Sequence, residues 1–199
     1  MVQETQRNGA TTNNTLHYSF TLLKRWLQRW GHQFPNGTPL TYRQLLLPLN
    51  RDANHWACIA IDIPNTTITY LDSHIPEDFP GQYGLEYADQ ALRFIHDEHQ
   101  RAFHTPDDRE WTLLGSTPET VPQQTNGYDC GVYACLFMDY ILQGLPLSVT
   151  PDQAQGAQPH MALAIIQGRA LQWYGRPPPY CPIDHQTQQR QHRIHTHIA

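Results

Sequence analysis

The chain has 199 residues, which is enough for one domain of ordinary size with a substantial core. Apolar residues make up only 39%, and 16 prolines and 12 histidines are present, so we expect a folded centre with poorly ordered ends. The net charge of -5 and the lack of a basic stripe argue against nucleic-acid binding. No apolar run reaches membrane-spanning length, and the polar N-terminus lacks a signal-peptide core.

The first half of the chain predicts a disordered segment, a helix, an edge strand and a hairpin. Residues 1–14 are polar, and we expect them to be disordered. Apolar residues recur at helical spacing over 16–30, and a glycine follows. The short apolar segment 45–50 contains a proline, which favours an edge strand. Segments 55–63 and 67–73 are rich in β-branched and aromatic residues around a Pro-Asn-Thr turn, which predicts a hairpin.

The second half predicts three helices, one strand and a tail. Residues 87–99 have the pattern of an amphipathic helix, and 111–116 that of a strand. A strongly apolar helix is predicted over 130–142, since glycine and proline follow it. A last helix is predicted over 161–173. Residues 175–199 are rich in proline, glutamine and histidine, and we expect a flexible tail.

The four cysteines have irregular spacing and form no metal-site pattern; they are Cys58, Cys130, Cys135 and Cys181. Without a secretion signal, free thiols in a reducing compartment are expected. The tail contains several histidines, but their loose spacing does not favour a metal site. We therefore expect neither a metal nor a cofactor.

Cys130 stands where a polar, amide-rich loop meets the apolar helix. Turn residues precede it, and we expect Asp129 to cap the helix. The unpaired backbone N–H groups of a helix N-terminus would then point at the sulfur and favour the thiolate. Gly131 leaves that approach unobstructed. A buried structural cysteine gains nothing from this position, and Cys135, inside the helix, fits that role better.

A nucleophilic thiol also needs a base, and His55 is the candidate because it opens the first hairpin strand. A turn at 62–65 would place His55 directly opposite Asp72, where a carboxylate can hold an imidazole in one tautomer. If the turn is centred two residues later, Asp72 faces Ile59 instead. The sequence does not decide between these two registers.

A donor for a developing oxyanion is the third requirement. Gln124 lies six residues before Cys130 in the loop that leads to it, and a glutamine amide can serve beside the backbone N–H of the nucleophile. Gln123 could serve equally well, because spacing alone does not choose between them.

Three ordered blocks carry a resemblance to a known family: HWACIAID, then TYLDS, then PQQTNGYDCGVY. They resemble the signature blocks of the ubiquitin-like-protein proteases, the SUMO/sentrin-specific cysteine peptidases. The order His, Asp, Gln, Cys is the same, and NNTLHYSFTLLKRWLQRW resembles the family's segment before the first block. The likeness covers roughly residues 14–147, and three blocks in order are more specific than one motif.

The resemblance implies an α+β, papain-like fold, in which a central helix carrying the nucleophile packs on a small mixed sheet. It implies that Cys130 attacks the carbonyl after a C-terminal Gly-Gly, with His55 as general base and then general acid. Asp72 would orient His55, and Gln124 would be the oxyanion donor. The family's cleavage of SUMO precursors and conjugates is the expected function.

The resemblance also implies a narrow tunnel for the glycine tail, covered by Trp56. Judged without the resemblance, a strand tryptophan is more often part of the core. We expect Gln123, Asp129 and Gly131 to lie near the substrate as well, although capping is the main role expected of Asp129. The expected partner is SUMO or another ubiquitin-like protein, with a monomeric enzyme in the nucleus or cytoplasm.

The sequence departs from the family at its front. The tryptophan-containing block that opens the family's catalytic domain is not found before Asn14, so the resemblance implies a shortened domain over 15–174. Three alternatives remain: a protease for ubiquitin or another modifier, an inactive protein that only binds such modifiers, and, less favoured, a protein acetyltransferase.

Several other polar residues are expected to be structural. Ser73 and His74 fit a turn after the second hairpin strand. On the middle helix, Asp97, Glu98 and Arg101 are expected to form a solvated face.

Overall fold

The computed structural model describes residues 34–51, 53–79 and 81–167, together with Arg25 and Arg29. Arg25 and Arg29 are helical, as predicted for that segment. The rest of the predicted first helix and both predicted disordered ends lie outside the described residues, so the domain limits at 15 and 174 stay predictions. None of the helices in the described ranges combines the length and apolar character needed to cross a bilayer.

A four-stranded mixed sheet forms the centre of the fold. Its strands lie side by side in chain order: β1 (Gln44–Arg51), β2 (His55–Asp62), β3 (Thr67–Leu71) and β4 (Thr112–Leu114). The first three are antiparallel, and β4 runs parallel to β3. The predicted edge strand and hairpin are confirmed. The last predicted strand, 111–116, is shorter in the structure.

Between residues 34 and 167, where the structure describes nearly every residue, three helices accompany the sheet: α1 (Leu85–Phe103), α2 (Cys130–Leu142) and α3 (Pro151–Gln167). Two short 3-10 turns, Pro35–Gly37 and Pro39–Thr41, precede β1. The predicted bounds of α2 are confirmed, and α1 is longer at both ends than predicted. The prediction that the last helix starts at 161 is wrong, because it starts ten residues earlier.

The early start of α3 has a local cause. The backbone N–H of Thr150 donates to Gln153 Oε1 (2.7 Å), and the N–H of Gln153 donates to Thr150 Oγ1 (3.3 Å). This reciprocal capping box fixes the helix start. Ala154 and Ala157 are then fully buried against the core, which outweighs the poor helix propensity of Pro159 inside the helix.

The sheet lies between α1 on one face and the pair α2 and α3 on the other. Strand β2 is buried on both faces, with Ile59 and Ile61 packed toward α1, and Cys58 and Ala60 packed toward α2. Burial raises the pKa of Cys58 to about 12, so Cys58 is an inert structural thiol. Both faces being covered explains why the sequence of β2 is almost continuously apolar.

The hairpin register differs from both sequence alternatives. Asp62 pairs with Thr67 and Cys58 with Leu71, so an extended ladder places Asp72 opposite Ala57 and diagonal to His55. The direct opposition of His55 and Asp72 is therefore wrong. The observed register is set in the turn, where the backbone N–H of Asn65 donates to Asp62 Oδ1 (3.1 Å). The shift is two residues, so His55 and Asp72 keep a common face.

The expected solvated face of α1 is also wrong at its centre. Glu98 is 0% exposed, and its two carboxylate oxygens accept hydrogen bonds from Arg101 at 2.6 Å each. Arg101 donates in addition to the carbonyl of Gly37 (2.9 Å). This pair attaches the segment before β1 to α1. An i, i+3 charge pair looks the same in sequence whether it is buried or exposed.

Candidate active site

The register of the sheet places three polar side chains together at one end of it. Arg51 ends β1 and pairs directly with His55, which begins β2. Asp72 follows β3 on the same face. The ring nitrogen Nε2 of His55 lies 2.7 Å from Asp72 Oδ1. The predicted pairing of His55 with Asp72 is thus present, through a diagonal contact rather than a direct one.

The carboxylate of Asp72 is 0% exposed and fully hydrogen-bonded. Besides His55, Oδ1 accepts from the backbone N–H of His74 (2.9 Å). Oδ2 accepts from the Tyr70 hydroxyl (2.7 Å) and from Arg51 Nη1 (2.8 Å). Burial by itself would raise the pKa of Asp72, but the hydrogen bonds from His55, Tyr70 and His74 outweigh it and lower that pKa below its usual value. Asp72 is therefore an anion at neutral pH.

An anionic Asp72 determines how His55 carries its proton. A carboxylate only accepts hydrogen bonds, so Nε2 of His55 must be the protonated ring nitrogen in this contact. In the neutral imidazole, Nδ1 is then the unprotonated nitrogen that can accept a proton. The pair has the chemistry required of a general base with an orienting partner.

Cys130 is the first residue of α2 and is largely buried. The helix start lies beside the start of β2, because a Cβ added at Gly131 would be 3.5 Å from Cδ1 of the Trp56 indole. Trp56 is 42% exposed, so it is not the core residue that a strand tryptophan would usually be. The first N–H groups of α2 have no intrahelical acceptor, so the start of the helix that carries Cys130 has a positive partial charge.

The two glutamines before Cys130 are held differently. Gln123 donates both Nε2 protons, to the carbonyls of Val121 (2.8 Å) and Asp72 (3.2 Å), and its Oε1 accepts from the N–H of Ile75 (3.0 Å). Gln124 Oε1 accepts from the Ser73 hydroxyl (2.7 Å), and its Nε2 donates to the carbonyl of Asn126 (2.6 Å).

One Nε2 proton of Gln124 therefore has no partner among the described residues. Because an oxyanion needs a donor that is still free, the geometry favours Gln124 over Gln123, a choice that spacing left open. Ser73, expected only in a turn, is buried and positions this amide.

Asp129 occupies the N-cap position of α2, but its side chain makes no capping hydrogen bond, so the capping prediction is wrong. The carboxylate is buried and accepts from Asn126 Nδ2 (2.7 Å) and Gln158 Nε2 (2.7 Å). It therefore attaches the loop before Cys130 to helix α3. The side chain of Asn126 also accepts from the backbone N–H of Asp129 (3.0 Å), which closes the turn.

Sequence reasoning missed two parts of this arrangement and misjudged a third. Arg51 and Tyr70 bind Asp72, but neither belongs to a pattern that sequence alone connects with it. Cys135, expected to be the buried structural thiol, is exposed, and Cys58 has that role instead. In the ranges that the structure describes, no group of His, Cys, Asp and Glu residues could hold a metal ion.

The sequence is similar to one family of proteases, both by family model and by comparison with individual proteins. Residues 27–168 match the model of the Ulp1 protease family, C-terminal catalytic domain. Sentrin-specific protease 2 of Mus musculus is 28% identical over 177 residues, which is 86% of this chain and 28% of that protein. Ubiquitin-like-specific protease 1 of Saccharomyces cerevisiae is 28% identical over 144 residues, which is 70% of this chain and 20% of that protein. The chain therefore spans less than a third of these relatives.

Solved structures show the same likeness. SUMO protease Ulp1 with its catalytic cysteine oxidised to a sulfenic acid superposes with a TM-score of 0.61 at 25% identity, covering 75% of this chain and 62% of that one. The C-terminal Ulp1 protease domain in complex with Smt3, the yeast ortholog of SUMO, gives 0.54 at 26% identity, covering 68% and 55%. The predicted α+β, papain-like fold is confirmed by these structures.

Proposed function

This chain belongs to the Ulp1 protease family, and from that premise we propose that it is a cysteine peptidase that cleaves after the C-terminal Gly-Gly of SUMO. The observation that carries the proposal is the His55–Asp72 pair: the buried Asp72 carboxylate lies 2.7 Å from the imidazole of His55, at the start of the strand that packs against the Cys130 helix. Binding alone would need neither a polarised histidine nor a thiol at a helix N-terminus.

In the proposed reaction the Cys130 thiolate attacks the carbonyl carbon of the last glycine. His55, charged and held by Asp72, gives its proton to the leaving amine, and a thioester to Cys130 forms. His55 then takes a proton from water, whose oxygen attacks the thioester and releases the glycine carboxylate and the thiol. The same steps cleave an isopeptide bond to lysine or a precursor peptide bond.

The tetrahedral intermediates carry a negative oxygen. The remaining Nε2 proton of Gln124 and the backbone N–H of Cys130 are the proposed donors to it. Such donors act strongly because they are already oriented before the charge develops. The Ser73 hydroxyl and the Asn126 carbonyl fix the Gln124 amide at both ends, so little reorientation is required.

The exposed indole of Trp56 is proposed to cover the Gly-Gly tail. It lies near the residue after the nucleophile, since a Cβ added at Gly131 would be 3.5 Å from Cδ1 of the indole. A flat aromatic wall beside the thiol admits bare backbone and excludes side chains, which matches a requirement for glycine. Gly131 lines the same place in this proposal. The function would also place the protein in the nucleus or cytoplasm.

The test is covalent capture by modifiers with a C-terminal electrophile. SUMO, ubiquitin and a third ubiquitin-like protein, each ending in Gly-vinyl sulfone, are incubated with the chain, and the adduct is mapped by mass spectrometry. We expect an adduct of SUMO at Cys130, and loss of the adduct in Cys130→Ser, because a serine hydroxyl is not ionised at neutral pH.

Cys135→Ser is the matched control, since Cys135 is an exposed thiol in the same helix and should be dispensable. Capture of ubiquitin alone would overturn the choice of SUMO but keep the chemistry. Binding of a modifier without any adduct would overturn the peptidase and favour a binding protein.

A further inference from the structure

The guanidinium of Arg51 occupies a cage of hydroxyl groups beside Asp72. Its Nε donates to the Tyr87 hydroxyl (2.9 Å), and Nη2 donates to the Tyr83 hydroxyl (2.6 Å). Nη1 donates both to the Tyr70 hydroxyl (3.2 Å) and to Asp72 Oδ2 (2.8 Å). These hydrogen bonds use four of the five N–H donors of the guanidinium and involve all three of its nitrogens.

The cage also fixes the plane of the guanidinium. The rings of Tyr83 and Tyr87 each lie 5.2 Å from its central carbon, and Tyr70 stacks on Tyr87 at 5.0 Å with nearly parallel planes. A lysine has a single nitrogen and could not satisfy these partners at once. The Tyr70 hydroxyl accepts from Arg51 and donates to Asp72, so it connects the two directly.

Asp72 is the only ionic partner of Arg51 in the described ranges. Tyr70 and Tyr87 are neutral at physiological pH, since burial raises the pKa of both hydroxyls. Arg51 therefore supplies one positive charge to a buried carboxylate that already holds His55. With a Cys130 thiolate and a charged His55, the four groups sum to zero charge, which a buried site favours.

We propose that Arg51 is a positioning residue for the reaction: it holds Oδ2 of Asp72 so that Oδ1 faces His55, and it balances the charge of the active ion pair. This inference rests on the proposed function. Arg51 acts through Asp72 rather than by touching the substrate, so its loss should lower kcat with little change in KM.

The test is the pH profile of kcat/KM for cleavage of a SUMO–fluorophore fusion. Removing a cation makes every neighbouring group hold its proton more strongly, so both limbs of the profile should move to higher pH in Arg51→Met, by about one unit. The groups concerned are His55, Asp72, Cys130, His74, Cys58 and the cage tyrosines. We expect kcat at the optimum to fall about tenfold to a hundredfold.

Arg51→Lys separates charge from geometry. It should keep the pH profile of the wild type while losing most of the rate, because lysine retains the charge without the fork of donors. Arg101→Met is the matched control for stability, since Arg101 also binds a buried carboxylate, Glu98, by hydrogen bonds of 2.6 Å. Folded Arg101→Met should keep both the pH profile of kcat/KM and the kcat of the wild type.

A double-mutant cycle tests whether Arg51 acts through Asp72. In an Asp72→Asn background, Arg51→Met should reduce kcat/KM by less than another factor of two. An unshifted profile in Arg51→Met, or the full loss of rate in the Asp72→Asn background, would overturn the inference.

The inference can fail independently of the proposed function. The pH dependence of Cys130 alkylation by iodoacetamide, followed by mass spectrometry, requires no modifier. It should move upward in Arg51→Met whether or not the wild type cleaves SUMO. A wild type that cleaves no modifier would overturn the proposed function alone, and an unmoved alkylation profile would overturn the inference about Arg51.

Discussion

Gln123 and Gln124 are neighbours in the chain, but they differ in how much hydrogen-bonding capacity they have left. Gln123 uses its carbonyl and both amide protons to connect three backbone segments, those of Ile75, Asp72 and Val121. Gln124 donates one amide proton to the carbonyl of Asn126, and the other has no acceptor in the part of the chain that the structure describes. A residue that is completely bonded serves structure, and one with a spare oriented donor can serve a reaction.

Exchange of each glutamine for alanine should separate these two roles. Gln124→Ala should lower kcat by about two orders of magnitude, because an oriented oxyanion donor is lost, and should lower the free energy of unfolding by only about 1 kcal/mol, for the Ser73 hydroxyl that loses its acceptor. Gln123→Ala should lower the free energy of unfolding by about 1–3 kcal/mol, because buried backbone groups lose their partners. Steady-state kinetics and urea denaturation of both variants provide the measurement. Equal losses of kcat with equal stability would contradict the distinction.

The places of the candidate residues in the fold were largely predictable, whereas their exact relations were not. His55, Asp72 and Cys130 stand in local patterns, namely the two ends of a hairpin and the start of an apolar helix. The pairing of His55 with Asp72 was predicted with the wrong register. The register depends on the turn, where the Asp62 side chain accepts from the backbone N–H of Asn65, and the sequence does not show that this contact forms. Arg51 could not be predicted, since its four partners come from β3, from the residue that follows β3, from α1 and from the segment before α1.

At the scale of elements, helix boundaries depended on how strong the local signals were. Helix α2 was predicted to the residue because turn residues, an apolar run and a glycine all agree. Helix α3 has a capping box at Thr150 and Gln153, a signal present in the sequence. Gly156 and Pro159 obscured it, and only the burial of the helix against the core explains why they are tolerated.

A steric requirement at the N-cap of α1 affects the candidate active site. Gly84, at the N-cap of α1, has a left-handed backbone (φ 83°), and an added Cβ would overlap the ring of Tyr70. Gly84→Ala should therefore displace Tyr70, loosen Asp72 and lower kcat. It should also reduce the free energy of unfolding by about 2–4 kcal/mol, from overpacking and backbone strain together.

Gly144→Ala is the matched control for Gly84→Ala. Gly144 also has a left-handed backbone (φ 67°), but an added Cβ there would meet no atom within 4 Å. In its alanine variant the free energy of unfolding should fall by about 1–2 kcal/mol, from backbone strain alone, and kcat should be unchanged. Kinetics and thermal unfolding of the two variants are compared side by side. The steric argument is wrong if Gly84→Ala and Gly144→Ala behave alike.

At the scale of the whole molecule, the sheet separates the proposed reactive end from a structural end. Arg51, His55 and Asp72 lie at one end of the strands, where β1 ends and β2 begins. The turn between β2 and β3 lies at the other end. There Arg109 donates to the carbonyl of Ile63 (3.4 Å), which connects the chain before β4 to the hairpin. Changes at the structural end should alter stability without altering the chemistry.

Asp107 offers a test of that separation through pH. Its carboxylate accepts from Arg109 Nε (2.7 Å), Arg109 Nη2 (2.9 Å) and Trp111 Nε1 (3.1 Å). Burial opposes the ionised form, but these hydrogen bonds outweigh it and lower the pKa of Asp107 to about 2. Since this value lies below that of an unfolded chain, the ionised carboxylate stabilises the fold above about pH 4, and the contribution is lost as the pH falls through about 2.

Asp107→Asn should therefore lower the free energy of unfolding at pH 7, by an amount on the order of 1 kcal/mol because solvent partly screens Arg109. The difference from the wild type should shrink steadily between pH 4 and pH 2, since the wild-type carboxyl then becomes neutral as well. Urea denaturation across this range measures it, and kcat of both proteins at pH 7 should agree. A difference that stayed constant down to pH 2 would mean that Asp107 does not stabilise the fold through its charge, and a changed kcat would contradict the separation of the two ends.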